Sequence, residues 1–201
     1  MTLRSAAAAT LAAMTLAACA TTPGPVEVTR FVASEASDRL GQGSIFVESA
    51  DGMEADSLSA APYKSAVAEE LRRLGYSESE RGSASQIATV SIERYVMTAE
   101  GRRSPVSVGV GGSTGTYGSG VGVGLGINLG GGQRDQVGTQ LAVTIRDAAT
   151  SQNLWEGRAD FRVADNSPLA QSQANAQTVA AALFSEFPGN NGETVEIEVS
   201  E

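Results

Sequence analysis

Leu154-Trp155-Glu156-Gly157-Arg158-Ala159-Asp160-Phe161-Arg162-Val163 alternates along its whole length. Trp155, Gly157, Ala159, Phe161 and Val163 fall on one side, and the charged residues fall on the other. That is the period-two pattern of a strand with one buried and one wet face. Upstream, Leu141, Val143 and Ile145 repeat it. Asp147 to Asn153 between the two is a polar connection of hairpin type, longer than the tightest turns. Gln86 to Val96 alternates too: Ala88, Val90 and Ile92 point one way, and Thr89, Ser91 and Glu93 the other. Ser44-Ile45-Phe46-Val47-Glu48 is a further β-rich run, closed by the turn pair Asp51-Gly52.

Two segments change period. Pro62 suits a first helical position, and Tyr63, Ala66, Val67, Leu71 and Leu74 follow at helical spacing. Glu69, Glu70, Arg72 and Arg73 take the wet side, and Gly75 fits the left-handed residue that ends a helix, with Tyr76 packing back. In the second segment Ser167 is a good N-cap and Pro168 a good first-turn residue. Leu169, Ala176, Val179, Ala180, Leu183, Phe184 and Phe187 form one apolar stripe, with Pro188-Gly189 as the stop. Val195, Ile197 and Val199 alternate with Glu, as a final edge strand would. The expected order is β-α-β, a glycine-rich hairpin, then β-β-α. The expected class is α+β: a two-layer sandwich, mainly antiparallel, with both helices on one face.

Composition excludes several chemistries. The chain has 201 residues, a formal charge of −9, no histidine and one cysteine. Without His there is no Ser-His-Asp or Cys-His nucleophile and no His-ligated metal. One Cys cannot close an internal disulfide or build a thiolate zinc site. The acidic balance opposes nucleic-acid binding, which depends on Lys and Arg at phosphates. Carboxylate chemistry needs no His, but no nucleophile-base pair stands out. The expectation is a non-enzyme with no catalytic residues, no cofactor and no metal.

The N-terminus carries an address. Arg4 supplies a positive start, and Ala6 to Ala18 are apolar or small. That stretch is 13 residues, short of the roughly 20 that span a bilayer. Leu16-Ala17-Ala18-Cys19 closes it and resembles the lipobox of bacterial lipoproteins. The resemblance implies that Leu16, Ala17 and Ala18 admit the lipoprotein signal peptidase and that Cys19 becomes the acylated N-terminus. Two or three acyl chains, at about 0.8 kcal/mol per buried CH2, make a durable membrane anchor. By the same analogy Ala20 is not the Asp of inner-membrane retention, which favours the outer membrane, facing the periplasm. An ordinary secretory peptide with Cys19 incidental is the competing reading. The expected layout is a signal peptide at 1–18, a tether at 19–30, and one domain at 31–201 carrying an insert at about 101–132.

That insert holds more than half of the 23 glycines. Val106, Val108 and Val110 alternate with small residues in a first arm, and Val121, Val123, Leu125, Ile127 and Leu129 do so in a second. Internal glycines at about 1 kcal/mol each argue against helix. A β-hairpin with one apolar and one bare face fits. Four roles compete: an extension of the core, an interaction arm that pairs with a partner or a second copy, a shallow lipid contact, and a phosphate loop. Elsewhere, Asp51, Glu54 and Asp56 lack calcium-loop spacing. Arg102-Arg103 suit a solubilising strand end, Asp147 and Glu156 a structural turn, and Trp155 the core.

Taken in order, these features are similar to the family called domain of unknown function 4136, found in Gram-negative envelope lipoproteins. The features are the lipobox at Cys19, Leu71-Arg72-Arg73-Leu74-Gly75-Tyr76, the strand Ala88 to Ile92 and the glycine-rich insert. Asp147 with Leu154-Trp155-Glu156-Gly157, and Phe187-Pro188, complete the set. The resemblance covers roughly 30–188 and implies a periplasmic α+β domain without established activity or catalytic residues. The expected role is to bind or scaffold an envelope component, as an envelope protein's partner or by self-association, with the acyl chains in the membrane. The alternative is a lipid- or glycan-carrying accessory module of outer-membrane assembly or transport.

Overall fold

In the computed structural model, residues 23–50, 60–97, 106–113, 120–127 and 135–199 are described. The strands are β1 (Val26–Val32), β2 (Ser44–Ser49), β3 (Ser77–Glu78), β4 (Gln86–Met97), β5 (Val106–Ser113), β6 (Gly120–Ile127), β7 (Gln136–Asp147), β8 (Asn153–Ala164) and β9 (Glu193–Ile197). The helices are α1 (Ala61–Arg73) and α2 (Ser172–Phe184). Seven strands form one sheet in the order β3-β2-β4-β7-β8-β1-β9. β2 runs parallel to β3 and β4, and the remaining neighbours are antiparallel. A mixed sheet with two helices is consistent with the expected α+β sandwich. Parallel neighbours need a long crossover, and α1 lies in the one that joins β2 to β4.

Register turns the alternation into a core. Ile92, Leu141, Ala159, Val28 and Val195 are successive partners across five strands. Val47, Ala88, Ile145, Trp155 and Val32 make a parallel row. These positions join Tyr63, Val67 and Leu71 of α1 and Val179, Leu183 and Phe184 of α2 in a single apolar cluster. Each large apolar side chain buried there contributes about 1.5–3 kcal/mol. One polar link crosses the helix pair: the Tyr63 hydroxyl donates to Asn175 Oδ1 at 2.8 Å, and Asn175 Nδ2 donates to the Leu169 carbonyl at 3.0 Å. Burial pushes the Tyr63 pKa up, which keeps the proton this bond needs.

The helix α1 ends as its sequence dictates. Gly75 has φ +107°, the Gly75 amide reaches the Arg72 carbonyl and the Tyr76 amide the Leu71 carbonyl. A Cβ at Gly75 would also sit 2.6 Å from the Gly41 carbonyl oxygen.

Three expectations change. The stretch expected to be a tether up to residue 30 contains most of β1, which lies between β8 and β9. Its alternation is hidden because the third inward residue is Arg30, which is 2% exposed. Second, α2 starts at Ser172 rather than behind Ser167. Ser167 Oγ does accept from the Leu169 amide at 3.1 Å, but it caps a separate 3₁₀ turn, Pro168–Ala170, and Gln171 is extended. Arg94 of β4 holds this break, donating to the Ala170 carbonyl at 2.7 Å and to Ser172 Oγ at 2.8 Å. Third, α2 stops at Phe184, ahead of Pro188. The Arg30 guanidinium caps it, donating to the carbonyls of Leu183 at 3.1 Å and Ala182 at 3.2 Å and to Ser185 Oγ at 3.1 Å. A cation at a helix C-terminus also complements the helix dipole. The short β3 was not expected either, and its two residues lack any alternation.

Candidate functional site

The glycine-rich insert forms the expected hairpin. β5 and β6 pair antiparallel, with Val106 opposite Ile127, Val108 opposite Leu125 and Val110 opposite Val123. Gly109 faces Gly124, Gly111 faces Gly122, and Val121 pairs with Gly112. By register the apolar positions share one side of the ribbon with Gly112, and the remaining glycine and serine positions share the other. The two strands make a sheet of their own and, among the described residues, hydrogen-bond to no strand of the larger sheet. The ribbon is inserted between β4 and β7, whose last mutual pair is Met97 with Gln136. Leu129 and the lipobox residues Leu16, Ala17, Ala18 and Cys19 lie outside the described residues. So do Asp51, Glu54, Asp56, Arg102 and Arg103.

The residues that flank the β7–β8 connection are structural. Asp147 Oδ1 accepts from the Thr150 amide at 2.8 Å, from Thr150 Oγ1 at 2.9 Å and from the Ala149 amide at 3.1 Å. Its other oxygen pairs with Arg39. The Thr150 amide, above all, holds the Asp147 carboxyl below the usual carboxylate range. Glu156 does not pair across the connection with Asp147; it binds Arg158 at 2.9 Å.

Trp155 belongs to the core at 1% exposure. Its ring lies 5.4 Å from Phe184, nearly parallel, and 5.2 Å from Phe187. Its indole Nε1 donates to the Pro188 carbonyl at 2.9 Å. The two separated motifs, Leu154-Trp155-Glu156-Gly157 and Phe187-Pro188, therefore meet in one aromatic cluster. Gly157 makes room for it, since a Cβ there would stand 2.2 Å from Trp155 Cη2 and 2.8 Å from Leu183 Cδ1.

A polar cavity of about 360 Å³ was not anticipated. It lies by β2, where β3 pairs only with Ser44 and Ile45 and leaves the rest of that edge uncovered by it. Glu48, with its side chain 15% exposed, is the acid on its wall among the described residues. Arg146 of β7 reaches Glu48 Oε1 at 2.9 Å, Thr89 of β4 touches the same oxygen at 3.4 Å, and Arg81 pairs with Oε2. Lys64 of α1, Ser49 and Phe46 complete the wall. No spacing announced this group, because its members come from three strands, a loop and a helix. The one hint was compositional: Lys64 is the only lysine in the chain. Among the described residues, no group of three or more His, Cys, Asp or Glu side chains is placed to hold a metal.

No curated protein matches this chain. Among solved structures, a PDZ domain protein from Parabacteroides distasonis superposes with a TM-score of 0.50 at 12% identity, over 87% of this chain and 39% of that one. The present chain thus spans about two-fifths of that protein, and the likeness is one of fold. The PelC dodecamer from Paraburkholderia phytofirmans gives a TM-score of 0.44 at 12% identity, over 80% of this chain and 95% of that one. The family described as "Domain of unknown function (DUF4136)" matches residues 31–189, and the chain belongs to that family.

Proposed function

We propose that this chain is a non-enzymatic lipoprotein, anchored through Cys19 to the periplasmic face of the outer membrane, whose glycine ribbon binds or scaffolds an envelope component. The observation that carries the reading is the ribbon's independence. The large sheet closes its own core, while among the described residues β5 and β6 pair only with each other. A ribbon with unpaired edges and a bare glycine side favours close approach by another backbone, from an envelope protein or a second copy. In this reading the two helices form one layer on one face of the sheet. The opposite face, with Glu27, Thr29, Arg158, Asp160, Gln140 and Thr144, faces water.

The lipid- or glycan-carrying alternative needs a groove between helices and sheet. Trp155, Tyr63, Phe161, Leu71 and Leu183 occupy that region, each less than 2% exposed. Filled packing favours the scaffolding reading.

The test has two arms. Cells fed an alkyne palmitate should label the wild-type chain and not Cys19→Ser, and the label should fractionate with the outer membrane. Photocrosslinkers placed at Val108 and Leu125 should give a discrete adduct, with one envelope protein or with the chain itself. An unlabelled chain would overturn the anchor, and the absence of adducts at both ribbon positions would overturn the ribbon's role.

A further inference from the structure

The cavity beside Glu48 carries an inference of its own, independent of the anchor and the ribbon. Three cations, Lys64, Arg81 and Arg146, converge on a space of about 360 Å³ in a chain whose net charge is −9. Among the described residues one carboxylate, Glu48, answers them. Glu48 takes one nitrogen from each arginine, and two positive charges are left over. An arginine carries five N–H donors, so both guanidinium groups keep donors to give. Among the described residues nothing pairs with the Lys64 ammonium. Ser49 Oγ, on the same wall, is buried and has no hydrogen-bond partner. Lys64 also lies in the first turn of α1, which has no acidic residue.

We infer that this cavity binds a phosphoryl group. The excess of two positive charges matches a phosphate monoester, which carries about −1.5 to −2 at neutral pH. Two arginine forks suit its oxygens, and the lysine supplies further donors. The void falls within the roughly 300–1,000 Å³ of small-ligand sites, large enough for a phosphate and a short substituent. The rest of the acidic surface is screened beyond about 8–10 Å at physiological salt, so recognition is local. Glu48 serves as the resident anion, holding both arginines in place and competing with the ligand.

The same chemistry is offered by a free phosphomonoester and by a lipid headgroup. The full chain in a maltoside detergent should be titrated calorimetrically at low salt with inorganic phosphate, glycerol 3-phosphate and dihexanoyl phosphatidic acid. One saturable site is expected. Lys64→Met should weaken it about tenfold, equivalent to about 1.4 kcal/mol. Arg146→Gln should weaken it similarly, and Arg158→Gln, on β8 and outside the cavity wall, should leave it unchanged. Glu48→Gln should tighten binding several-fold, a gain that a merely structural carboxylate would not produce. Equal affinity for all three probes marks the phosphate itself as the ligand; binding of the phosphatidic acid alone marks a headgroup. No saturable binding by any probe, or affinity unmoved by Lys64→Met, or weaker binding in Glu48→Gln, overturns the inference.

Discussion

At the scale of single residues, three positions do more than their types suggest. Gly157 is a packing choice: Trp155 and Leu183 fill the place of its missing side chain. Gly157→Ala should destabilise by about 1–3 kcal/mol, the usual cost of overpacking, read as a lower denaturation midpoint with an unchanged slope. Arg30 is a buried cation used as a helix cap. Arg30→Met keeps the stem and strips the donors, leaving two α2 carbonyls without this partner. A loss of about 2–3 kcal/mol is expected by chemical denaturation. Asp147 contributes to the pH dependence. Its pKa is lowered in the fold, first by the Thr150 amide and then by the Thr150 hydroxyl, with the Arg39 charge a smaller cause. A depressed carboxyl adds stability that is fully present above its ordinary value of 3.8 and is lost as pH falls through the lower folded value. Carboxyl NMR titration should place the Asp147 midpoint below 3.8. Asp147→Asn should flatten the acid side of the stability profile.

Elements differ in how far their own residues determine them. The turn at Gly75 ends α1 from local sequence, whereas α2 is trimmed at both ends by arginines from the sheet. The ribbon is the opposite case, an element that takes nothing from the sheet's hydrogen bonding. Met97 and Gln136 are already paired across β4 and β7, so a tight Asn-Gly turn can replace residues 98–135 without breaking that ladder. The shortened chain should keep its far-UV circular dichroism and melt within a few degrees of the parent. A molten or insoluble product would show that the ribbon belongs to the core.

Across the whole molecule one apolar cluster joins six strands of the large sheet and both helices. A single core predicts a single cooperative transition. Trp155 is the only tryptophan, and it sits inside that core. Its fluorescence and the backbone circular dichroism should therefore give coincident denaturation curves. Two separated midpoints would reveal a second unit.

The sequence by itself determined the alternating strands β4, β7 and β8, helix α1 with its terminator, the hairpin nature of the insert and membership of the family. The strands, the helix end and the hairpin rest on periodicity or on turn chemistry, which act between near neighbours along the chain, and the family rests on the order of its motifs. Only the tertiary structure decided that 26–32 is a strand, because a buried Arg30 breaks the pattern that would announce it. It alone set the limits of α2, and it alone gathered Glu48, Lys64, Arg81 and Arg146 around one cavity. Those features depend on partners as far as 153 positions apart and farther, and a charge reads as solvated until the fold supplies the carbonyl or carboxylate that meets it.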